Sequence, residues 1–111
     1  MIERIENITI RVSDLKKSID FYEKILGLKK RDEWSTYATF NIGDMMLGLD
    51  PDPKGELDIF LTVANVDDEY KALKEKGVQF TTEPKDQYWG GRTAVFKDPD
   101  GNKFILVSHK K

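Results

Sequence analysis

The sequence predicts an α+β fold made of two βαβββ modules, and three observations carry that prediction. First, the chain repeats itself. A shift of 51 residues lays Val12 on Val63, Leu15 on Val66, Ile19 on Tyr70 and Tyr22 on Leu73. Second, β-branched alternation opens the chain, with Ile8, Ile10 and Val12 on one face and Asn7, Thr9 and Arg11 on the other. Third, each half holds one helical stripe closed by a glycine, Gly27 in the first and Gly77 in the second. A half of this size cannot bury an adequate core alone. The two sets of strands are therefore expected in one curved mixed sheet, with helices on the convex side and a cleft on the concave side. Residues 1–111 read as a single domain, cut into modules 1–55 and 56–111.

The elements follow in order. Residues 5–12 form a strand, and Ser13 or Asp14 starts a helix by accepting from its orphan amides. Leu15, Ile19, Tyr22 and Leu26 form its buried stripe. Strands follow at 28–34, 36–42 and 45–49, with Gly43-Asp44 as the last turn, and Asp50 to Gly55 is a loop. The second half gives a strand at 57–63, a helix capped by Asn65 or Asp67 with Val66, Tyr70 and Leu73 inward, and a strand at 78–82. Glu83 to Asp86, with Pro84, reads as a loop. A strand follows the Gly90-Gly91 break, and Asp98-Pro99-Asp100-Gly101 is a tight turn before the final strand at 103–107.

Composition narrows the chemistry. The chain has 111 residues, no cysteine and one histidine. Disulfides, thiolate metal centres and thiol catalysis are excluded, and so is any site needing two imidazoles from one chain. His109 reads as an exposed tail residue. Eighteen basic residues against 20 acidic leave a net charge of −2, so no basic field invites nucleic acid. No apolar run approaches the roughly 20 residues of a membrane span, and no leader opens the chain. The expected location is cytoplasmic, with no membrane or nucleic-acid partner.

The chain resembles the glyoxalase / bleomycin-resistance / extradiol dioxygenase superfamily, the vicinal oxygen chelate fold. The resemblance rests on Val12-Ser13-Asp14-Leu15 followed by Phe21-Tyr22 and Leu26-Gly27-Leu28, on Trp89-Gly90-Gly91-Arg92, and on Asp98-Pro99-Asp100-Gly101-Asn102, in that order and spacing. It implies a metal ion in the cleft of metal-dependent members, held by a first-strand and a last-strand residue from each half. Those positions fall here on Asn7 and Asp58, which are also repeat mates, and on Gly48 and Ile105. Glycine and isoleucine offer no donor atom, so neither a metal nor another cofactor is expected.

What remains is a groove for a small organic molecule, apolar with a few polar handles. Its expected lining is Asn7, Thr9, Arg11, Met46, Gly48, Asp58, Phe60, Trp89, Arg92 and Ile105, with Trp34 and Tyr37 at the hairpin between strands two and three. Trp89 and Phe60 would stack on a planar ligand, and Arg11 or Arg92 would hold an anion. The resemblance points to a metal-independent protein that sequesters its ligand, as a homodimer with clefts shared between chains. The alternative is an enzyme of the same superfamily, a lyase, isomerase or glyoxalase-like protein, metal-assisted through Asn7 and Asp58 or using Asp58 as general base.

Overall fold

The structure is a computed structural model, and it describes residues Met1–His109. Eight strands and two helices succeed one another as β1 (Arg4–Arg11), α1 (Leu15–Asp20), β2 (Lys29–Trp34), β3 (Tyr37–Ile42), β4 (Met45–Asp50), β5 (Asp58–Thr62), α2 (Val66–Glu75), β6 (Phe80–Asp86), β7 (Gly91–Lys97) and β8 (Lys103–His109). The βαβββ plan thus occurs twice. Close contacts divide the chain into a first unit, Glu6–Asp58, and a second made of Met1–Ile5 together with the chain from Ile59 onward.

In the first unit the strands run β2-β3-β4-β1. β1 and β4 are parallel, with Asn7 opposite Met46, Thr9 opposite Gly48 and Arg11 opposite Asp50. β3 is antiparallel to β4, placing Thr39 opposite Gly48 and Asn41 opposite Met46. Period-2 alternation then sorts the side chains. Ala38, Phe40 and Leu49 are fully buried and pack with Ile19 of α1, with Ile10, Val12, Leu15 and Tyr22 around them. Burying Phe40 or Leu49 contributes about 1.5–3 kcal/mol each.

α1 begins as expected, with the Asp14 carboxylate accepting from the Lys17 amide at 3.1 Å. After Asp20, however, it widens into a π-helical turn over Phe21–Ile25. The wider turn breaks the 3-and-4 spacing. Tyr22 still packs on Phe40, ring centres 6.0 Å apart, but Leu26, expected in the buried stripe, is 52% exposed.

The second unit repeats the order as β5-β8-β7-β6, with β5 and β8 parallel. Its core is Leu61, Val63, Val66, Ala94 and Leu106, packed by Tyr70, Leu73, Phe80, Phe96 and Phe104. Asn65 caps α2, its side-chain oxygen accepting from the Asp68 amide at 3.0 Å. Asn65→Ala should lower stability by about 1 kcal/mol, read as a lower melting temperature. Asn65→Asp keeps the acceptor and should retain most of the wild-type value.

Two expectations are corrected here. Glu83–Asp86 is not a loop, because β6 runs through Pro84 to Asp86. Proline is tolerated since β6 ends the strand order and its pairing slips between Thr82 and Lys85, so no ladder bond is lost there. His109 is not a tail residue. It is exposed, but it ends β8 and pairs with Gly91. The Asp98–Gly101 turn is as read. The Asp98 carboxylate accepts from the Asp100 and Asn102 amides and from the Asn102 side chain, which with those amides holds it below the usual carboxylate range. Gly101 takes φ 86°. Among the described residues no helix is long and apolar enough to cross a membrane.

Candidate functional site

The face of the first unit turned away from α1 is polar. β1 supplies Asn7, Thr9 and Arg11, β4 supplies Met46, Gly48 and Asp50, and β3 supplies Tyr37, Thr39 and Asn41. Gly48 is the centre of a row, flanked by Thr9 on one side and Thr39 on the other. Thr9 is buried, and its hydroxyl donates to Asn7 Oδ1 at 3.0 Å and lies 2.8 Å from the Tyr37 hydroxyl. Thr39 is also buried, and its hydroxyl makes no hydrogen bond among the described residues.

Gly48 is needed for this packing. A Cβ on Gly48 would lie 2.6 Å from Thr9 Oγ1, 2.9 Å from Tyr37 Cζ, and closer still to the Tyr37 hydroxyl oxygen. The phenol tip therefore occupies the space that any other residue at 48 would fill. The Trp34 ring stands 5.9 Å from the Tyr37 ring, tilted by 31°, and is 54% exposed.

Burial pushes the Tyr37 phenol above its ordinary value, and the carboxylates of Asp50 and Asp58 push the same way. Hydrogen bonding from Thr9 and Asn7 opposes them without winning. The phenol is thus neutral at pH 7. A wild-type minus Tyr37→Phe absorbance titration at the phenolate band should give a midpoint above the usual value near 10. The unfolded chain ionises first, so this group's contribution to stability is whole below that value and fades as pH rises through the folded one. Wild type should therefore lose stability relative to Tyr37→Phe in that alkaline window, measured by urea unfolding at stepped pH.

In the second unit, Phe60 pairs with Ile105, Thr62 with Val107 and Thr93 with Val107, on the face opposite α2. Trp89 is 45% exposed and folds over Gly91, where a Cβ would fall 2.9 Å or less from its six-membered ring. The Trp89 and His109 rings are 6.0 Å apart. Gln87 donates to Thr93 at 2.9 Å, a polar contact with no local sequence signal.

Arg92 corrects the sequence reading. It was expected in the cleft, but it pairs with Ser108, one residue out of phase with Thr93 and Val107. Its guanidinium donates to both Asp67 oxygens at 2.7 and 3.0 Å, and to Asp86 at 3.2 Å. It holds Asp67, at the start of α2, below the usual carboxylate range, and its own charge is reinforced. Arg92 is committed to a bidentate pair on the helix side. Of the expected lining, the structure gathers Asn7, Thr9, Arg11, Met46 and Gly48 on one face of the first unit, and Phe60 and Ile105 on one face of the second. Asp58 is half-buried at the start of β5.

The metal implied by the superfamily does not fit the residues present. Gly48 has its side-chain space filled by the Tyr37 hydroxyl, and Ile105 is a buried aliphatic. Asn7 Oδ1 already accepts from Thr9. Among the described residues no group of three or more His, Cys, Asp or Glu is placed to hold an ion.

Comparison with known proteins agrees with the fold and with much of the sequence. The chain is 33% identical to the glutathione transferase FosA of Serratia marcescens over 96% of its own length and 81% of that protein's. It is 34% identical to the metallothiol transferase FosB of Staphylococcus haemolyticus, over 96% and 84%. The crystal structure of methylmalonyl-CoA epimerase from Mycobacterium tuberculosis superposes with a TM-score of 0.79 at 18% identity, covering 99% of this chain and 90% of that one. That likeness shows the α+β fold class expected from the sequence. A family model matches residues 4–106, and by it the chain belongs to the Glyoxalase/Bleomycin resistance protein/Dioxygenase superfamily.

Proposed function

We propose that the chain is an enzyme of this superfamily that transforms a small organic molecule, without the superfamily's full set of metal ligands. Its similarity to FosA and FosB, both transferases by name, favours the enzyme over the sequestering protein that the sequence suggested first. The observation that carries the reading is the Tyr37–Thr9–Asn7 cluster packed around Gly48. It puts a neutral phenol and an amide where a substrate oxygen or nitrogen can be held, beside apolar Met46 and Trp34. A homodimer with shared clefts, and a cytoplasmic location, belong to the same reading. Sedimentation equilibrium tests the first and cell fractionation the second.

Thiol transfer is the reaction to test first. The protein is incubated with glutathione and a panel of small epoxides and enals in EDTA, and adducts are read by mass spectrometry. Adducts above the protein-free blank, unchanged by added manganese, are expected. No adduct with any electrophile, together with stoichiometric retention of an unchanged panel compound, would return the protein to the sequestering class. Turnover that appears only with added metal would overturn the metal-independent part. Arg92→Ala should leave turnover unchanged, because its guanidinium is engaged by Asp67 and Asp86 on the helix side.

A further inference from the structure

Between matched positions, the first helical segment is one residue longer than the second. Up to Tyr22 the halves match at a shift of 51, which lays Phe21 on Ala72, but the closing glycines, Gly27 and Gly77, match at 50. The structure absorbs the extra residue in the π-helical turn over Phe21–Ile25, where the Leu26 amide donates to the Phe21 carbonyl at 3.0 Å. Such single turns inside helices are frequent at functional sites. This one takes Leu26 off the buried stripe and leaves Phe21, Ile25 and Leu26 exposed by 48%, 73% and 52%. Residues four and five apart lie over one another in such a turn, so the three side chains form one patch. The fold does not require apolar residues there. At the matching places the second unit carries Ala72, Glu75 and Lys76 and builds the same plan. Phe21 is also fixed in advance, edge-on to Tyr22 with ring centres 5.3 Å apart.

Charge decides what covers the patch. Asp20 and Lys24 lie one helical turn apart beside it, both well exposed, and pair within the chain at 3.4 Å. An anionic surface would be drawn to Lys24 and repelled by Asp20, and a charged peptide would meet the same conflict. A second copy does not. When two such helices are turned about a two-fold axis over the patch they run antiparallel, and Asp20 of each copy meets Lys24 of the other while Phe21 meets Ile25. We propose that the turn over Phe21–Ile25, with Leu26, is a self-association surface on which a second copy of this chain docks by the same residues. Three side chains open to this degree offer a few hundred Å², roughly the largest apolar patch that an ordinary monomer exposes. With the charged rims, two copies cover about 1,000 Å², the lower end for a specific pair, so the contact is reversible with a dissociation constant on the order of micromolar. It lies on the α1 side of the first unit, away from the polar face, and needs neither thiol transfer nor a shared cleft.

The test is sedimentation equilibrium of the intact protein over a range of micromolar loading concentrations. Ile25→Glu and Leu26→Lys give the first unit the residues that the second carries at the matching places. Each should weaken self-association at least about tenfold and, as a change at an exposed position, leave the melting temperature of dilute protein close to wild type. If the clefts are shared as well, wild type sediments as a tetramer and Ile25→Glu halves it to a dimer. Charge variants read the symmetry. Asp20→Lys alone and Lys24→Asp alone should each weaken association about threefold or more, because like charges then face each other twice across the axis. An equimolar mixture of the two single variants should associate more tightly than either alone, and the double variant should recover most of the wild-type affinity. Should Ile25→Glu melt early, Leu26→Lys carries the same test. Wild type that is monomeric at every concentration, an Ile25→Glu protein that sediments as wild type does, or a double variant no better than the singles would overturn the proposal. Monomeric wild type that floats with vesicles of phosphatidylserine and phosphatidylcholine would overturn it in favour of a membrane surface. A dimer that Ile25→Glu leaves intact defeats this contact and leaves the shared cleft standing.

Discussion

Phe40→Ala is expected to lower stability by about 3–5 kcal/mol, the range for removing a fully buried aromatic ring. Phe40 has no exposed surface. It sits on β3 between α1 and the sheet, with Ala38 and Leu49 equally closed in and Tyr22 edging its ring. The cavity cannot collapse easily, because the small neighbour Ala38 brings no side chain to fill it and Leu49 is fixed in the β4 ladder. A domain of this size has about 5–15 kcal/mol in all, so the loss is a large share. At roughly 4 °C or more per kcal/mol the melting temperature should fall by more than 10 °C. Phe40→Leu keeps most of the apolar volume and should cost clearly less. The measurement is chemical unfolding followed by circular dichroism. A cost below about 1 kcal/mol for Phe40→Ala would mean that the α1 side of this sheet is not a well-packed layer.

Phe40 could be placed from sequence because its signal is local. Along β3, Ala38 and Phe40 alternate with Tyr37, Thr39 and Asn41, and one face is plainly apolar. β1 divides in the same way into Ile8, Ile10 and Val12 against Asn7, Thr9 and Arg11. The 51-residue repeat added long-range information, matching the buried stripe of one helix to that of the other. Arg92 was misplaced because its strand carries no such phase. Ala94 and Phe96 face the core, but Val95 between them is apolar too, so either face could have been the inner one. One residue of phase sends an arginine to the opposite side of a sheet. Leu26 was misplaced because nothing local announces a π-helical turn, and Pro84 because edge position is a property of the whole strand order.

The Tyr37 site shows a different limit. Its residues were visible singly, yet their meeting depends on registers that no window of sequence contains. Thr9 and Tyr37 are 28 residues apart. They meet because β1 pairs in parallel with β4, which sets Thr9 beside Gly48, and β4 pairs antiparallel with β3, which sets Tyr37 two residues along β3 from Gly48's partner Thr39, close enough for its hydroxyl to reach over Gly48. The sequence reads Gly48 only as a position without a donor atom. In the sequence it is an absence, whereas in the fold it is the space that a phenol fills. At position 48 β4 carries no side chain, and β3 fills that space with the Tyr37 hydroxyl.

Gly48→Ala therefore has the most informative expected effect in the molecule. The new Cβ would sit 2.6 Å from Thr9 Oγ1 and 2.9 Å from Tyr37 Cζ, inside any tolerable contact, and nearer still to the phenol oxygen. The backbone of β4 is held by ladders on both sides, so it cannot retreat. Tyr37 must swing out, which breaks its bond to Thr9 and uncovers ring surface against Trp34. The expected cost is about 1–3 kcal/mol, typical of overpacking a closed site. Two readouts should change together. The melting temperature falls, and the Tyr37 titration moves down toward the ordinary phenol value. The cost should also depend on Tyr37. In a Tyr37→Ala background, where most of the obstruction is gone, adding Gly48→Ala should cost less by about 1 kcal/mol, a coupling expected only of residues in direct contact. Strictly additive effects, or a Gly48→Ala protein that keeps the raised Tyr37 titration, would show that the phenol does not fill the space over Gly48.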